Sequence, residues 1–289
     1  RRYRMFKKYK KHIGLALLLV VLVGCKSVIN PETGEIFEEY IIRLGDSFPW
    51  GKEGYGWFAI FIIWPIAQLF NFVANYTGAF WSLIIVTILI DLVKLRSTIK
   101  STVQQQKMQI IQPEVNRIQE KYKHKKDDRN AQMQQASEIQ KLYEKHDVNM
   151  MGSLVPLFLQ LPLLLAVFQA VQRADLIING SFLGHALSGT PKDGFASLNY
   201  VYIVIYIVMV ISQALSMFLP QYLQNKKNRH RNQAQPQGTN PQTMMIFSLG
   251  MITLFAFNWN IGMSVYWGIT AMTRLIQTLY INHKYVNEK

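Results

Sequence analysis

Five apolar stretches, each close to the length needed to cross a lipid bilayer, dominate this sequence and leave few folds open to it. A hydrocarbon core about 30 Å thick is crossed by about 20 residues of helix. Of the 289 residues, 50% are hydrophobic and 17% are charged. The predicted spans are residues 79–98, 148–171, 199–219, 242–257 and 261–281. We therefore predict an all-α membrane protein with five transmembrane helices.

The basic residues lie in blocks between the apolar stretches, and this pattern predicts the orientation of the chain. Residues 94–146 carry twelve Lys or Arg against six Asp or Glu, and residues 220–241 carry four against none. Residues 26–78 carry three against six, and residues 172–198 carry two against two. Because cytoplasmic loops are enriched in Lys and Arg, we expect the first two regions and the tail, residues 282–289, inside the cell. Topology thus accounts for the net charge of +14, and we predict no binding to DNA.

The start of the chain is typical of a bacterial lipoprotein signal. Seven Lys or Arg lie within the first eleven residues, an apolar run extends from Ile13 to Val23, and Gly24-Cys25 follows. A basic start and an apolar run too short to span comfortably favour a secretory signal, and Leu22-Val23-Gly24-Cys25 resembles the lipobox. We predict that residues 1–24 are removed and that Cys25 carries diacylglycerol and an N-acyl lipid, with no other cofactor. An uncleaved signal anchor with an incidental cysteine is the alternative.

Two further helical elements are predicted outside the bilayer. In the external segment, residues 25–78, the apolar stretch from Trp57 to Phe72 contains Pro65 and Gln68, which favours an amphipathic helix on the outer surface; a sixth span is the alternative. In the cytoplasm, residues 99–147 contain two apolar repeats separated by a charged run, which predicts an antiparallel helical hairpin. The repeats are Ile111, Val115, Ile118 and Tyr122, then Met133, Ala136, Ile139 and Tyr143.

The second cytoplasmic loop, residues 220–241, carries a compact basic cluster. Its members are Lys226, Lys227, Arg229 and Arg231. Such a cluster favours contact with anionic lipid headgroups or ribosomal RNA, and control of topology explains it equally well. The external loop, residues 172–198, has no comparable charge.

Polar residues inside the predicted spans are the candidates for function. No HExxH, GxSxG or phosphate loop is present, and we predict that the protein is not an enzyme. At about 1.5 Å per residue, Asp91 in the first span and Arg274 in the fifth both lie about 18–20 Å below the outer interface. The other polar residues are Thr87, Gln160, Ser212, Ser216, Tyr266, Thr270, Thr273 and Gln277. Either Asp91 and Arg274 neutralise each other between packed helices, or the whole set lines a wet cavity open to the cytoplasm.

A Pro- and Gln-containing block in the second span carries a family resemblance. It runs from Asn149-Met150-Met151-Gly152 to Pro156-Leu157-Phe158-Leu159-Gln160-Leu161-Pro162, and Gln112-Pro113 and the stretch from Gly262 to Trp267 add to it. Together with the spans and hairpin, it resembles the YidC family of membrane-protein insertases over about Trp57 to Ile281. The resemblance implies five core helices around a hydrophilic groove that is closed outside and open to the cytoplasm and lipid.

The resemblance also implies a function and a set of partners. It implies a monomeric insertase and chaperone of the bacterial plasma membrane, with nascent membrane proteins, the ribosome, the Sec translocon and membrane lipids as partners. In the family, an arginine on the first core helix attracts the acidic or polar part of a client, and gap-free alignment places Asp91 at that position. We hypothesise that Arg274 supplies the charge, with Asp91 as its partner, and that Lys94 and Arg96 are weak substitutes.

Two other functions remain possible at this point. A small-solute or ion transporter would use Asp91 and Arg274 as its binding pair, although the sequence shows no internal repeat and no pair of Gly-interrupted spans. A scaffold for other membrane proteins would function without the charged pair.

Overall fold

The computed structural model describes residues 36–52, 55–125, 128–148, 150–228 and 241–283. This part of the chain is mostly helical, as predicted. The helices are α1 (Trp64–Thr77), α2 (Ala79–Lys121), α3 (Arg129–Lys145), α4 (Met150–Arg173), α5 (Asp175–Ile178), α6 (Pro191–Ala196), α7 (Tyr200–Asn228), α8 (Pro241–Asn258) and α9 (Ile261–Ile281). The strands are β1 (Ser181–Phe182) and β2 (His185–Ala186), and a π-helical turn at Ala59–Ile63 leads into α1.

Local sequence explains several helix ends. Helix α1 stops at Gly78, whose φ of 82° lies in the left-handed region that glycine adopts without a steric penalty. Helix α3 begins after Asp128, whose carboxylate accepts a hydrogen bond from the Asn130 amide at 2.8 Å. Helix α9 begins after Asn260, whose side-chain oxygen accepts one from the Met263 amide at 2.9 Å. Because of this cap, Trp259 and Asn260 suffice to connect α8 with α9.

Two of the described helical stretches are, by length and composition, apolar enough to cross a bilayer. They are Ala59–Thr77 and Tyr200–Leu223. The second covers residues 200–219 of the predicted span 199–219. The first overlaps the stretch from Trp57 to Phe72, for which we expect an interfacial helix, so a sixth span stays open as the alternative. The apolar parts of α2 and α9 also contain charged residues, and their membrane crossing remains a prediction.

The chain forms two compact units. Of the described residues, those up to Thr87, within Leu159–Tyr206 and within Asn258–Tyr266 form the first unit. Those within Ile88–Phe158, within Ile207–Phe257 and from Trp267 to residue 283 form the second. Helix α2 is continuous from Ala79 to Lys121 and contributes to both. The predicted first span and the first helix of the hairpin are therefore one uninterrupted helix.

In the first unit, the N-terminal segment is bound by backbone pairing to the end of α4. The Ile42 amide donates to the Arg173 carbonyl at 2.7 Å, and the Ile42 carbonyl accepts from the Asp175 amide at 3.0 Å. Asn71, fully buried on α1, donates to the same Ile42 carbonyl at 2.6 Å and accepts from the Leu176 amide at 3.0 Å. One buried amide side chain thus joins three segments of this unit.

The predicted external loop contains ordered short elements. Strands β1 and β2 pair antiparallel through a turn at Leu183 and Gly184, both with positive φ, as in a type I′ hairpin turn. The Phe182 ring stacks on Phe80 with centroids 3.6 Å apart. The Ile261 amide donates to the Gly189 carbonyl at 2.8 Å, which attaches the loop to the start of α9.

In the second unit, α2 and α3 pack along an apolar seam. Ile111, Val115 and Val148 are buried, and the partly buried residues packed against them are Met108, Ile139, Leu142 and Tyr143. The repeat that we expected on α3 is wrong in its first half, because Met133 is 66% exposed and Ala136 is also exposed. Ala131 is buried instead.

Candidate functional site

A buried charged cluster joins helices α2 and α9 in the second unit. The Asp91 carboxylate forms an ion pair with the Lys94 ammonium at 2.6 Å, and the two side chains are 7% and 15% exposed. The Thr273 hydroxyl donates a hydrogen bond to the other oxygen of the Asp91 carboxylate. Each partner of Asp91 thus satisfies a different carboxylate oxygen.

The helical spacing explains why these three residues meet. Residues three apart lie on the same helix face, so Lys94 on α2 lies beside Asp91. The Thr98 hydroxyl donates to the Lys94 carbonyl at 3.1 Å and extends this polar face. Thr273 on α9 contacts this face through its hydroxyl.

The expected pairing of Asp91 with Arg274 is corrected by this geometry. Among the described residues, Asp91 bonds with Lys94 and Thr273, whereas the Arg274 side chain is exposed. Consecutive helix residues project about 100° apart, so when Thr273 faces Asp91, Arg274 is turned away from it. Lys94, which we expected to be a weak substitute, is the cation paired with Asp91, and its side chain is only 15% exposed.

The other predicted site residues are divided between the two units. Thr87 and Tyr266, both almost fully buried, belong to the first unit, and Thr87 donates to the Leu83 carbonyl of its own helix at 2.5 Å. In the second unit, Ser212 donates to the Val208 carbonyl at 2.7 Å and Ser216 to the Gln213 carbonyl at 2.9 Å. These hydroxyls are back-bonded to α7, so they do not join the Asp91 cluster directly.

Two residues of α9 complete the polar face of the second unit. Thr270 is 8% exposed, and within the described chain its buried hydroxyl has no hydrogen-bond partner. Gln277 is half-buried. Helix α7 approaches α9 closely, because a Cβ on Gly268 would lie 3.6 Å from the Met209 Cα.

Several predicted site residues lie outside the described side chains. They include Gln160 on α4 and both Lys226 and Lys227 on α7. Cys25, Arg229 and Arg231 lie outside the described residues altogether.

Several buried polar groups were not predicted from the sequence. They are Asn71, Ser82, Ser101, Gln169, Arg173, Gln213 and Ser264. Gln213 had a usable signal, because it lies three residues before Ser216 on one helix face. Asn71 and Arg173 had none, since their burial depends on contacts with distant segments.

The chemistry of the cluster is that of hydrogen bonding and charge. Lys94 donates, the Asp91 carboxylate accepts, and threonine hydroxyls do both. A polar peptide segment beside these groups can therefore find partners for its donors and its acceptors. The pair itself carries no formal net charge.

Comparison with known proteins decides the family. Residues 69–288 match the family model described as 60Kd inner membrane protein. The chain belongs to this family, the YidC family of membrane protein insertases. Membrane protein insertase MisCA of Bacillus subtilis strain 168 is 30% identical over 280 residues, which cover 94% of this chain and 92% of the relative. Membrane protein insertase YidC 2 of Bacillus anthracis is 29% identical over 269 residues, covering 89% and 88%.

A third relative extends over nearly the whole chain. Membrane protein insertase YidC 1 of Listeria monocytogenes strain F2365 is 27% identical over 290 residues, covering 98% of this YidC-family chain and 87% of the relative. The resemblance read from the Pro- and Gln-containing block is thereby confirmed. Membership of a family of insertases favours insertion over solute transport as the function.

Proposed function

We propose that this chain assists the insertion and folding of nascent membrane proteins in the bacterial plasma membrane, alone or with the Sec translocon. One observation carries the proposal beyond family membership: within two predicted spans, the buried Asp91 carboxylate lies beside the largely buried Lys94 and the partly buried Thr273. Charged groups within apolar spans are costly and usually serve a polar pathway. The cluster is where the polar part of a client would lodge.

The physical role of such a cluster is to lower the cost of moving polar groups into the membrane. A peptide group without a hydrogen-bond partner in hydrocarbon costs several kcal/mol, about 2–7 depending on the reference state. Side chains that donate and accept hydrogen bonds, together with water, replace part of that loss. The hydrophobic effect then draws the apolar segment of the client into lipid. No bond is made or broken in this process.

The proposed topology follows the charge distribution. Five spans place the N-terminus outside, where Cys25 is lipidated, and the C-terminus in the cytoplasm; α1 lies on the outer surface. The α2–α3 pair then projects into the cytoplasm as the predicted hairpin. We place ribosome or headgroup contacts on this hairpin and on the Lys226 to Arg231 cluster, with a monomer as the functional unit. The excess of Lys and Arg in residues 94–146 and 220–241 supports this arrangement.

Insertion into purified vesicles tests the proposal. The full chain is reconstituted in liposomes, and a single-span client with a short polar tail is synthesised in a membrane-free translation system. We expect a protease-protected client fragment with the reconstituted protein and little with empty vesicles. Equal protection in both kinds of vesicle would contradict the proposed function.

A pair of variants links insertion to the cluster. Thr273→Val keeps the shape of the side chain and removes the hydrogen bond to Asp91, so we expect a smaller protected fraction. Thr273→Ser keeps the hydroxyl and is the matched control, with a protected fraction near that of the wild type. If Thr273→Val inserts the client as well as Thr273→Ser does, the cluster is not the client site.

A further inference from the structure

The buried charges of the candidate site cancel each other. Asp91 contributes one negative charge and Lys94 one positive charge, with 2.6 Å between the paired atoms. Two further cations lie close to the members of the cluster along the two helices, and both are exposed: Arg96 on α2 and Arg274 on α9. The buried part of the site is therefore a dipole, whose field decreases with distance faster than that of a single charge.

The neighbouring hydroxyls do not select for the sign of a charge. The Thr270 hydroxyl is buried and, in the described structure, has no hydrogen-bond partner, so it is available both as a donor and as an acceptor. Thr273, in contrast, is engaged by Asp91 and holds the carboxylate beside Lys94. Polar recognition at this place consequently depends on hydrogen bonding rather than on attraction of one sign of charge.

We propose that Asp91 determines client specificity by neutralising Lys94, so that the site accepts polar client segments of either charge. This inference rests on the proposed function and names its substrate class: single-span clients whose translocated tails are acidic, neutral or basic. Removing the carboxylate leaves the positive charge of Lys94 without its counter-ion, and the site then selects acidic tails. Asp91 acts through Lys94 and is thus a specificity-determining residue.

The experiment uses one client span with three tails that differ in two positions, filled by Asp, Asn or Lys. Insertion is measured in vesicles of zwitterionic lipid without a membrane potential, so that neither lipid charge nor voltage sorts the tails. The wild type should insert all three to within about twofold, since equal site affinity leaves no discrimination. Asp91→Asn should favour the Asp tail over the Lys tail by about tenfold, which corresponds to about 1.4 kcal/mol.

A double variant separates charge from folding. Asp91→Asn with Lys94→Gln has a neutral site again and should insert the three tails nearly equally, whereas an effect of damaged structure would persist. Arg274→Gln is the matched contrast, because Arg274 is exposed; it should leave the wild-type pattern unchanged. All variants are first compared with the wild type by thermal unfolding in detergent.

Two results would overturn the inference. The first is a strong preference of the wild type for one tail charge that Asp91→Asn does not alter. The second is a change of preference with Arg274→Gln and none with Asp91→Asn, which would assign specificity to Arg274. Failure of the wild type to insert any tail above the level of protein-free vesicles would instead refute the proposed function itself.

Discussion

Arg173, at the end of α4, shows how a single residue can hold a distant segment of the chain. It is 2% exposed, its Nε donates to the Tyr40 carbonyl at 3.0 Å, and its guanidinium lies 4.6 Å from the centroid of the Tyr55 ring. Burial lowers the pKa of Arg173, while the phenols of Tyr55 and Tyr40 act in the opposite direction. The residue lies beyond the predicted span 148–171 and ties the N-terminal segment to the first unit.

We expect Arg173→Ala to destabilise the first unit, because it removes a charge-assisted hydrogen bond and cation–π contacts that are together worth about 2–4 kcal/mol. The matched control is Arg43→Ala. Arg43 pairs with Glu38 at 2.9 Å, but the two side chains are 51% and 83% exposed, and such pairs contribute about 0–1 kcal/mol. Thermal unfolding in detergent should show a clear loss for the first variant and little for the second. Equal unfolding midpoints for the two variants would mean that Arg173 does not stabilise the first unit.

At this scale, the level of a side chain along its helix was easier to predict than the direction in which the side chain points. Counting residues along each helix gives the level, and on that basis Asp91 and Arg274 were expected to meet. The contact is made instead by the neighbouring Thr273, because direction depends on how the helices are rotated against each other. The spacing of Asp91 and Lys94, three residues apart on one helix, does indicate the ion pair that the structure shows.

At the scale of elements, the α2–α3 pair depends on a short seam. Ile111 is 2% exposed in this seam, whereas Met133 on the outer face of α3 is 66% exposed. Replacing a buried Ile by Ala costs about 2–5 kcal/mol, so Ile111→Ala should loosen the pair. Limited trypsin digestion should cleave the basic segment that follows α2, at Lys123 and Lys125, faster in Ile111→Ala than in the wild type. Met133→Ala should behave like the wild type. The seam is wrongly assigned if both variants are cleaved alike.

Sequence patterns predicted the long helices better than the short elements. Apolar length and the block of basic residues located α4, α7, α8 and α9 without tertiary information. The pair β1–β2 and the short helices α5 and α6 were not anticipated, because elements of two to six residues are too short to show a hydrophobic repeat. Gly180 meets a further constraint that comes from folding, because a Cβ there would collide with the distant Ala79.

At the scale of the whole molecule, the mostly helical fold class, the family and the presence of polar residues in the predicted spans could be predicted from the sequence. The family followed from a motif around Gln160, and the relatives confirmed it. The net charge of the site could not be predicted from the sequence, because it depends on which cation lies beside Asp91. Lys94 and Arg274 carry the same charge, yet the first is largely buried beside Asp91 and the second is exposed.

Replacement of the native insertase in a living cell tests the central claim most directly. A bacterium depleted of its own insertase would express the full chain, and growth would be followed together with protease mapping of a single-span client. We predict that the wild type and Thr273→Ser restore both growth and client insertion, and that Thr273→Val restores less of each at equal abundance in the membrane. Failure of the wild-type chain to restore insertion, although it is present in the membrane at a normal level, would contradict the claim that it is an insertase for such clients.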